Sequence, residues 1–201
     1  WFLPCCPGEI GMYLGLTGHR LRAADTLYAG IGDVHVPADR DEDLIAALVA
    51  ATTLDGDGVA DILRDFAVDP GEAPLAAHRD AIDRCFAGDS VEDILARLAA
   101  EDGDWGRAQI ETLSTKSPTA LKVTFRQLRL GARIESIAEI MAMEYRLADR
   151  SFRGHDLFEG IRAVVIDKDG APKWDPTTLD AVSDADVDEY FVPVAGEPTF
   201  G

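Results

Sequence analysis

The sequence predicts a mainly α-helical protein with one or two short strands. Apolar residues recur at three- and four-residue spacing along most of the chain, which is typical of amphipathic helices. Residues that start and stop helices punctuate these segments, whereas strand-like alternation is scarce. A composition of 47% hydrophobic and 28% charged residues over 201 positions fits a folded globular chain.

The first part of the chain alternates short helices with loops. The segment from Ile10 to Gly18 is rich in apolar residues and predicts a short helix, and Ala23 to Gly30 predicts another, because a glycine closes each one. Two pieces are candidates for extended chain: His19 to Leu21, and Val34 to Val36 before Pro37. They are the plausible strand residues ahead of the carboxyl-terminal tail.

A series of helices is predicted from residue 39 onward. Each has an apolar face at helical spacing or a start signal, such as Ser117 as N-cap with Pro118 at the first helical position. Asp69-Pro70-Gly71 is predicted to be a loop. The predicted ranges are 39–52, 90–101, 104–114, a helix from 117 onward, 137–152 and a last helix near 182–191.

The clearest punctuation lies between residues 147 and 174. Asp156 followed by Glu159 forms an Asp variant of the capping box, and the residues after it have helical apolar spacing. Gly170, with Pro172 just beyond, marks the end of that helix. The apolar positions are Phe158, Ile161 and Val165.

Charge and cysteine content limit the partners and the compartment. A net charge of −18 argues against nucleic acid and anionic membranes as partners, because both require Lys and Arg to neutralise phosphates. No apolar run approaches the roughly 20 residues that span a bilayer. Cys5, Cys6 and Cys85 do not make a disulfide framework, so the sequence favours a reducing compartment, the cytoplasm or an organelle matrix.

Glu144 is a candidate acid or base. It shares a helical face with apolar residues, and burial would raise its pKa. The competing interpretation is an ion pair with Arg146 or Arg162, because buried carboxylates are usually paired. The four histidines are dispersed without ligand spacing, and surface or helix-end roles are expected for His19, His35, His78 and His155.

No metal site is predicted. Alternating acids at 55–58, 167–170 and 184–188 lack the glycine and glutamate positions of a calcium loop, so we expect loop and helix-cap roles. Adjacent Cys5 and Cys6 have two interpretations, a redox-active pair or small buried apolar residues.

One helix carries a basic stripe, defined as Lys122, Arg126, Arg129 and Arg133. Two interpretations remain open for this stripe. It receives the phosphates of a coenzyme A substrate, or it is a solvated face paired with acidic neighbours.

Several stretches carry family motifs. The segment Leu16 to Ile31, LTGHRLRAADTLYAGI, resembles the part of crotonase (enoyl-CoA hydratase/isomerase) superfamily members that follows the active-site loop. Further stretches resemble the 3-hydroxyisobutyryl-CoA hydrolases of that superfamily, and together they cover nearly the whole chain. They are Phe2-Leu3-Pro4, SPTALKVT from Ser117, MEYRL from Met143, RGHD from Arg153, EGIRA from Glu159 and IDKDGAPKW from Ile166.

The resemblance implies a fold in which a spiral of β-β-α turns is finished by a helical carboxyl-terminal part. This chain resembles the later portion: 1–37 would end the crotonase-like core and 38–201 would form the helical carboxyl-terminal region. The uncapped start at Trp1 favours a chain cut from a longer one. The partner implied is the amino-terminal half, in the same chain or a separate one, and a homo-oligomer stays open.

The resemblance also implies hydrolysis of the 3-hydroxyisobutyryl-CoA thioester in valine breakdown. The family's oxyanion-hole segments and catalytic carboxylates would lie upstream of Trp1, so no catalytic residue is transferred and no cofactor or metal is expected. Cys5-Cys6 stands where relatives have Arg-Leu, which removes any contact made by that Arg.

The family comparison offers one substrate-binding residue. A basic residue shortly after the Glu-Gly-x-x-Ala helix approaches the CoA nucleotide in relatives, and Lys168 is the nearest match. Two other functions compete with thioester hydrolysis, an enoyl-CoA hydratase or isomerase and a non-catalytic acidic helical assembly module. The expected compartment is the cytoplasm, or the mitochondrial matrix in a eukaryote.

Overall fold

The computed structural model describes residues 1–52 and 55–199, and α-helices make up most of them. In chain order they are α1 (Ile10–Thr17), α2 (Ala23–Tyr28), α3 (Asp41–Ala50), α4 (Gly56–Phe66), α5 (Arg79–Phe86), α6 (Val91–Ala100), α7 (Asp104–Ser114), α8 (Pro118–Gly131), α9 (Ile137–Arg153), α10 (His155–Ile161) and α11 (Asp184–Glu189). The shorter elements are 3₁₀ turns at Leu3–Cys5, Ala38–Arg40, Pro74–His78 and Leu179–Ala181, and one π-helical turn at Arg162–Ile166.

The described residues contain no β-strand, so the predicted one or two short strands are wrong. Val34 to Val36 and His19 to Leu21 are loop. The carbonyl of His35 accepts one hydrogen bond of 2.9 Å from the backbone N–H of Val68, and this single bond is not continued into a ladder. A strand needs repeated pairing with a neighbour, which an apolar triplet alone does not supply. The mixed α/β class expected from the family is therefore not present in the described residues.

The backbone contacts divide the chain into two compact units. One unit comprises Trp1–His19 and the described part of Ala81–Gly201, and the other comprises Arg20–Asp80. The expected division at residue 37 refers to portions of the family fold and stays a prediction.

In the first unit, α1 is buried on nearly all sides and packs against α7 and α8. Ile10 is fully buried, as is Phe86, whose ring meets that of Tyr13 edge-on at 5.3 Å. Gly11 permits the close approach of the chain start, because a Cβ there would lie 1.8 Å from the carbonyl oxygen of Leu3. The apolar residues of α1 are therefore buried in the core, and α1 is the central helix of this unit.

A second apolar cluster joins α8 and α9 to the carboxyl-terminal segment. Residues from these elements share a common buried face, with Ile134, Tyr190 and Phe191 packed around it. The buried members are Val123, Ile140, Met143, Leu147, Val182 and Val187.

The second unit is smaller. The carboxylate of Asp25 is buried and accepts a 2.8 Å hydrogen bond from the backbone N–H of Leu75, which ties α2 to the 3₁₀ turn Pro74–His78. Helices α3 and α4 pack together, and the guanidinium of Arg40 lies 4.5 Å from the ring centre of Phe66. These contacts are local and leave most of α3 exposed.

Most predicted helices are present with ends within a few residues of their predicted bounds. Ser90 and Ser117 cap α6 and α8, and Gly18 ends α1 in the left-handed conformation. Helices α4 and α5 lie outside the predicted ranges. The capping box at Asp156 is wrong, because α10 begins after Gly154 without a side-chain cap.

Candidate functional site

A cleft with a volume of about 620 Å³ opens between α1, α8, α9 and α10 in the first unit. Its wall is mostly apolar, with a few polar groups at one end, which is the usual composition of a small-molecule site. Its lining residues include Gly15, Leu16, Gly18, Lys116, Ser117, Ala120, Leu121, Thr124, Leu147, Leu157, Gly160, Ile161, Val165, Trp174 and Tyr190.

Two glycines shape the cleft. A Cβ on Gly15 would come within 2.6 Å of a terminal methyl of Leu128, so a side chain there would require Leu128 to shift. A Cβ on Gly160 would meet the Trp174 ring at 3.3 Å. The Trp174 indole N–H donates to the carbonyl of Thr115 at 3.0 Å, and this bond holds the ring at the mouth of the cleft.

The polar end of the cleft is organised by Asp156. One carboxylate oxygen accepts a 2.5 Å hydrogen bond from the hydroxyl of Ser117, and the other accepts a 2.9 Å bond from the backbone N–H of Asp175. His155 Nδ1 lies 3.0 Å from the same second oxygen. The hydrogen bond that the ring N–H of His155 donates to Asp156, together with the negative charge of that carboxylate, raises the pKa of His155, because both favour the imidazolium.

These three residue types do not form a nucleophilic triad. In a Ser-His-Asp triad the imidazole lies between the hydroxyl and the carboxylate, so that it can remove the hydroxyl proton. Here the carboxylate of Asp156 lies between Ser117 and His155. The Ser117 hydroxyl also accepts from the backbone N–H of Ala120 as the cap of α8. The arrangement therefore joins the starts of α8 and α10 and fixes the polar rim of the cleft.

A charged network follows α10. Arg162 donates to both carboxylate oxygens of Glu159 at 2.8 Å, and to Asp167 and Asp169 at 2.7 Å each. Glu159 also accepts from the backbone N–H of Lys173 at 2.7 Å. The Arg162 hydrogen bonds, followed by that from Lys173, lower the pKa of Glu159 to about 2. Arg162 thus fastens the loop that ends in Trp174.

Lys168 lies in this loop. It is exposed, has a left-handed backbone with a φ of 56°, and is not among the cleft-lining residues. Its predicted contact with CoA stays a prediction. The cation that does line the cleft is Lys116, which sequence reasoning missed. The sequence could have indicated Lys116 only through its position directly before Ser117, the N-cap of α8.

Glu144 is half-buried, and neither expected arginine is its partner. Its carboxylate accepts a 2.8 Å hydrogen bond from the side-chain amide of Gln127. Arg146 instead pairs with Glu197 at 2.7 Å. The expected ion pair with an arginine is therefore wrong, and the partner of Glu144 is a neutral amide.

The remaining sequence candidates are dispersed. Among residues 1–52 and 55–199, no three acidic, histidine or cysteine side chains are grouped in a way that could hold a metal ion. Asp55 caps α4 through the N–H of Gly58, and Asp186 forms a capping box with Ser183. The thiols of Cys5 and Cys6 are free, and Cys6 is buried with its pKa raised by that burial and by neighbouring Cys5.

The histidines fall in separate places. His19 is exposed and stacks obliquely with Tyr13 at 5.4 Å, His35 is half-buried in a loop, and His78 ends a 3₁₀ turn. None of the four lines the cleft, although His155 contacts Asp156, which does.

The basic stripe is largely paired with carboxylates. Lys122 Nζ lies 2.7 Å from a Glu92 oxygen, and Arg129 lies 2.9 Å from a Glu9 oxygen. The pairs are Lys122 with Glu92, Arg126 with Asp188, and Arg129 with Glu9. These pairs agree with a face paired with acidic neighbours, but the three side chains are half-buried and not solvated, and the CoA interpretation stays a prediction. Arg133 is exposed at the end of the stripe.

Comparison with known proteins gives one family. A model of the family described as enoyl-CoA hydratase/isomerase matches residues 1–191. The mitochondrial 3-hydroxyisobutyryl-CoA hydrolase of Xenopus tropicalis is 41% identical over 196 residues, covering 95% of this chain and 51% of the frog protein. The human protein of the same name is 36% identical over 196 residues, covering 95% of this chain and 50% of its own length. The chain thus spans about half the length of these relatives.

Two solved structures are similar. A carnitinyl-CoA dehydratase from Mycobacterium thermoresistibile matches with a TM-score of 0.88 and 39% identity, covering 98% of this chain and 55% of that protein. An enoyl-CoA hydratase from Rhodobacter sphaeroides matches with a TM-score of 0.82 and 35% identity, covering 97% and 55%. No helix in the described part of the chain is long and apolar enough to cross a membrane.

Proposed function

Because the chain belongs to the enoyl-CoA hydratase/isomerase family, we propose that it forms the carboxyl-terminal part of an enzyme that hydrolyses the thioester of 3-hydroxyisobutyryl-CoA. The observation that carries this proposal is the 41% identity with the frog hydrolase along 95% of the chain. The cleft agrees with it, because an apolar wall with a polar rim suits an acyl chain joined to a polar carrier.

The reacting groups are proposed to come from the part of the enzyme that this chain does not match. Thioester hydrolysis needs N–H donors aimed at the developing oxyanion and a carboxylate that directs water or holds an acyl intermediate. The Pro-Asp-Val-Gly-Gly motif that carries such a carboxylate in the family is not in this sequence. This chain alone is therefore proposed to be inactive, and the assembled enzyme active in the cytoplasm or the mitochondrial matrix.

The test is a two-chain assay. The chain is co-expressed with the remaining half of the Xenopus tropicalis hydrolase, the complex is purified through a tag on this chain, and release of free thiol from 3-hydroxyisobutyryl-CoA is measured. We expect thiol release from the complex and none from either half. A stable complex without thiol release would contradict the proposal and favour an assembly module.

A matched pair of variants links the activity to the cleft. Ala120→Trp places an indole in the cleft and should lower thiol release at least tenfold, because it occupies the space proposed for the acyl chain. Val49→Trp adds the same ring to an 80% exposed position of α3 and should leave the rate unchanged. Equal rates for the two variants would exclude the cleft as the site.

The names of the two similar structures favour a second candidate, hydration or dehydration of an enoyl-CoA. The same complex distinguishes it. Loss of the enoyl-thioester absorbance without thiol release would show a hydratase, whereas thiol release from the 3-hydroxyacyl substrate would show a hydrolase.

A further inference from the structure

A second cavity lies on a different face of α8 from the cleft. Its volume is about 420 Å³, and it is bounded by α8, the amino end of α6 and the first turn of α11. Ala120 and Thr124 of α8 line the cleft, whereas Arg126 and Arg129 line the second cavity. The two spaces therefore share α8 as a wall, but they have no lining residue in common.

The lining of this second cavity is cationic although the chain is strongly acidic. All four residues of the basic stripe belong to it, together with three carboxylates, so the lining carries a net charge of +1 against −18 for the whole chain. At about 0.1 M salt, exposed charges are screened over roughly 10 Å, so the lining sets the potential there more than distant acids do. The three carboxylates are Asp89, Glu92 and Asp184.

Two arginines of the lining keep donors that are free to bind an anion. Nη1 of Arg126 contacts the carboxylate of Asp188, but its Nη2 lies 3.8 Å from Asp184, whose side chain is 93% exposed. An exposed pair at this distance contributes little to stability, so an incoming anion displaces it at low cost. Arg133 lies just beyond the end of α8, is exposed, and has no ion pair within the described part of the chain.

The amino end of α6 also favours an anion in this cavity. Ser90 caps this ten-residue helix by accepting from the backbone N–H of Asp93, and both Ser90 and Val91 line the cavity. The first N–H groups of a helix and the positive end of its dipole attract negative charge. The guanidinium groups and the helix start thus border the same space.

We propose that this second cavity binds a small phosphate ester, with the phosphate group held between Arg126, Arg133 and the start of α6. A guanidinium pairs with phosphate through two parallel N–H donors. A phosphate ester carries close to two negative charges at neutral pH, so it displaces the single exposed charge of Asp184 from Arg126 better than a monocarboxylate does. Phe125 and Leu130 of the lining offer apolar surface to the organic part of the ester.

The test is a titration of the chain with phenyl phosphate at about pH 7.5 and about 0.1 M salt, measured by calorimetry and by phosphorus nuclear magnetic resonance. Inorganic phosphate supplies a similar charge without the ring, and benzoate supplies the ring with one negative charge. We expect phenyl phosphate to bind most tightly, inorganic phosphate more weakly, and benzoate not at all over the same concentrations.

Two variants that each neutralise one charge should change the affinity in opposite directions. Arg133→Gln removes a donor of the site and should raise the dissociation constant for phenyl phosphate roughly fivefold. Asp184→Asn removes the competing carboxylate and should lower that constant roughly threefold. Arg22→Gln, at an exposed arginine of the second unit, should leave it unchanged. All three positions are exposed, and circular dichroism checks that each variant keeps the fold.

Several results would overturn the proposal. One is the absence of any binding of phenyl phosphate, and another is an unchanged affinity in Arg133→Gln or in Asp184→Asn. Benzoate that binds as tightly as phenyl phosphate would indicate a carboxylate site instead, and inorganic phosphate that does so would indicate a site for the free ion. The titration measures binding alone, so a failed thiol-release assay would reject the proposed hydrolase and leave this site standing.

Discussion

The hydroxyl of Ser117 donates a 2.5 Å hydrogen bond to the carboxylate of Asp156, 39 positions away in the sequence. Ser117 is 95% buried, since only 5% of its surface is exposed, and it also caps α8. One side chain thus completes a helix start and joins it to α10.

Ser117→Ala should lower the free energy of unfolding by about 1–2 kcal/mol, because it removes a helix cap and leaves a carboxylate oxygen of Asp156 without its donor. Ser136→Ala is the matched control. Ser136 also caps a helix, but its oxygen is 3.4 Å from the N–H of Glu139, so its loss should cost only about 0.5 kcal/mol. Urea unfolding of the two variants compares them, and equal losses would show that the bond to Asp156 adds nothing.

The pKa of His155 should fall in the variant Asp156→Asn, because the hydrogen bond and negative charge that raise it are removed. Since the folded-state pKa is raised, the contribution of His155 to stability is fully present below its unfolded pKa near 6.5 and is lost as the pH rises through the folded value. Nuclear magnetic resonance titration of the ring gives the pKa directly. Asp180→Asn, at an exposed carboxylate in another turn, should leave the titration of His155 unchanged.

Glu159→Gln should remove part of the acid dependence of stability. The pKa of Glu159 is lowered from 4.5 to about 2, so its contribution is present above about pH 4.5 and is lost as the pH falls toward 2. The variant should be less stable than the unmodified protein at neutral pH, and the difference should shrink below about pH 4.5. Urea midpoints from pH 7 to pH 3, with Glu111→Gln as an exposed control, check this, and a difference independent of pH would contradict it.

Gly11→Ala and Gly56→Ala should have opposite signs. A Cβ on Gly11 would overlap the Leu3 carbonyl, so the chain start must move, at a cost of about 1–3 kcal/mol. A Cβ on Gly56 meets nothing within 4 Å at the start of α4, and alanine there should stabilise by about 0.5–1 kcal/mol. Thermal unfolding of both variants measures the signs, and a stabilised Gly11→Ala would refute the close approach.

Helices were predictable from sequence because their signals are local. Ser90 and Ser117 cap the helices that follow them, as their sequence positions indicate. The strand predicted at Val34 to Val36 is absent, because pairing depends on a second segment that three residues do not specify. The apolar triplet has the local pattern of a strand, but no second segment of the described chain pairs with it along its length.

The candidate site was also hard to predict, because its contacts join segments that are remote in the sequence. Asp156 has the spacing of a capping residue, but its carboxylate is used by Ser117 and by the N–H of Asp175, which are distant in sequence. The motifs identified the family without indicating that Lys116 lines the cleft or that Lys168 lies in an exposed loop. Contacts between remote segments decide such positions, and spacing within one helix does not encode them.

The burial of α1 sets an order of events during synthesis. Its apolar side chains find their cover on α8, which begins at Pro118, and the carboxylate of Glu9 reaches Arg129 across 120 positions. Within this chain, a ribosome that has made α1 must therefore add roughly a hundred further residues before α8 is available to cover that helix. For that interval the nascent chain displays its most apolar helix, which makes α1 the segment that a chaperone would be expected to hold.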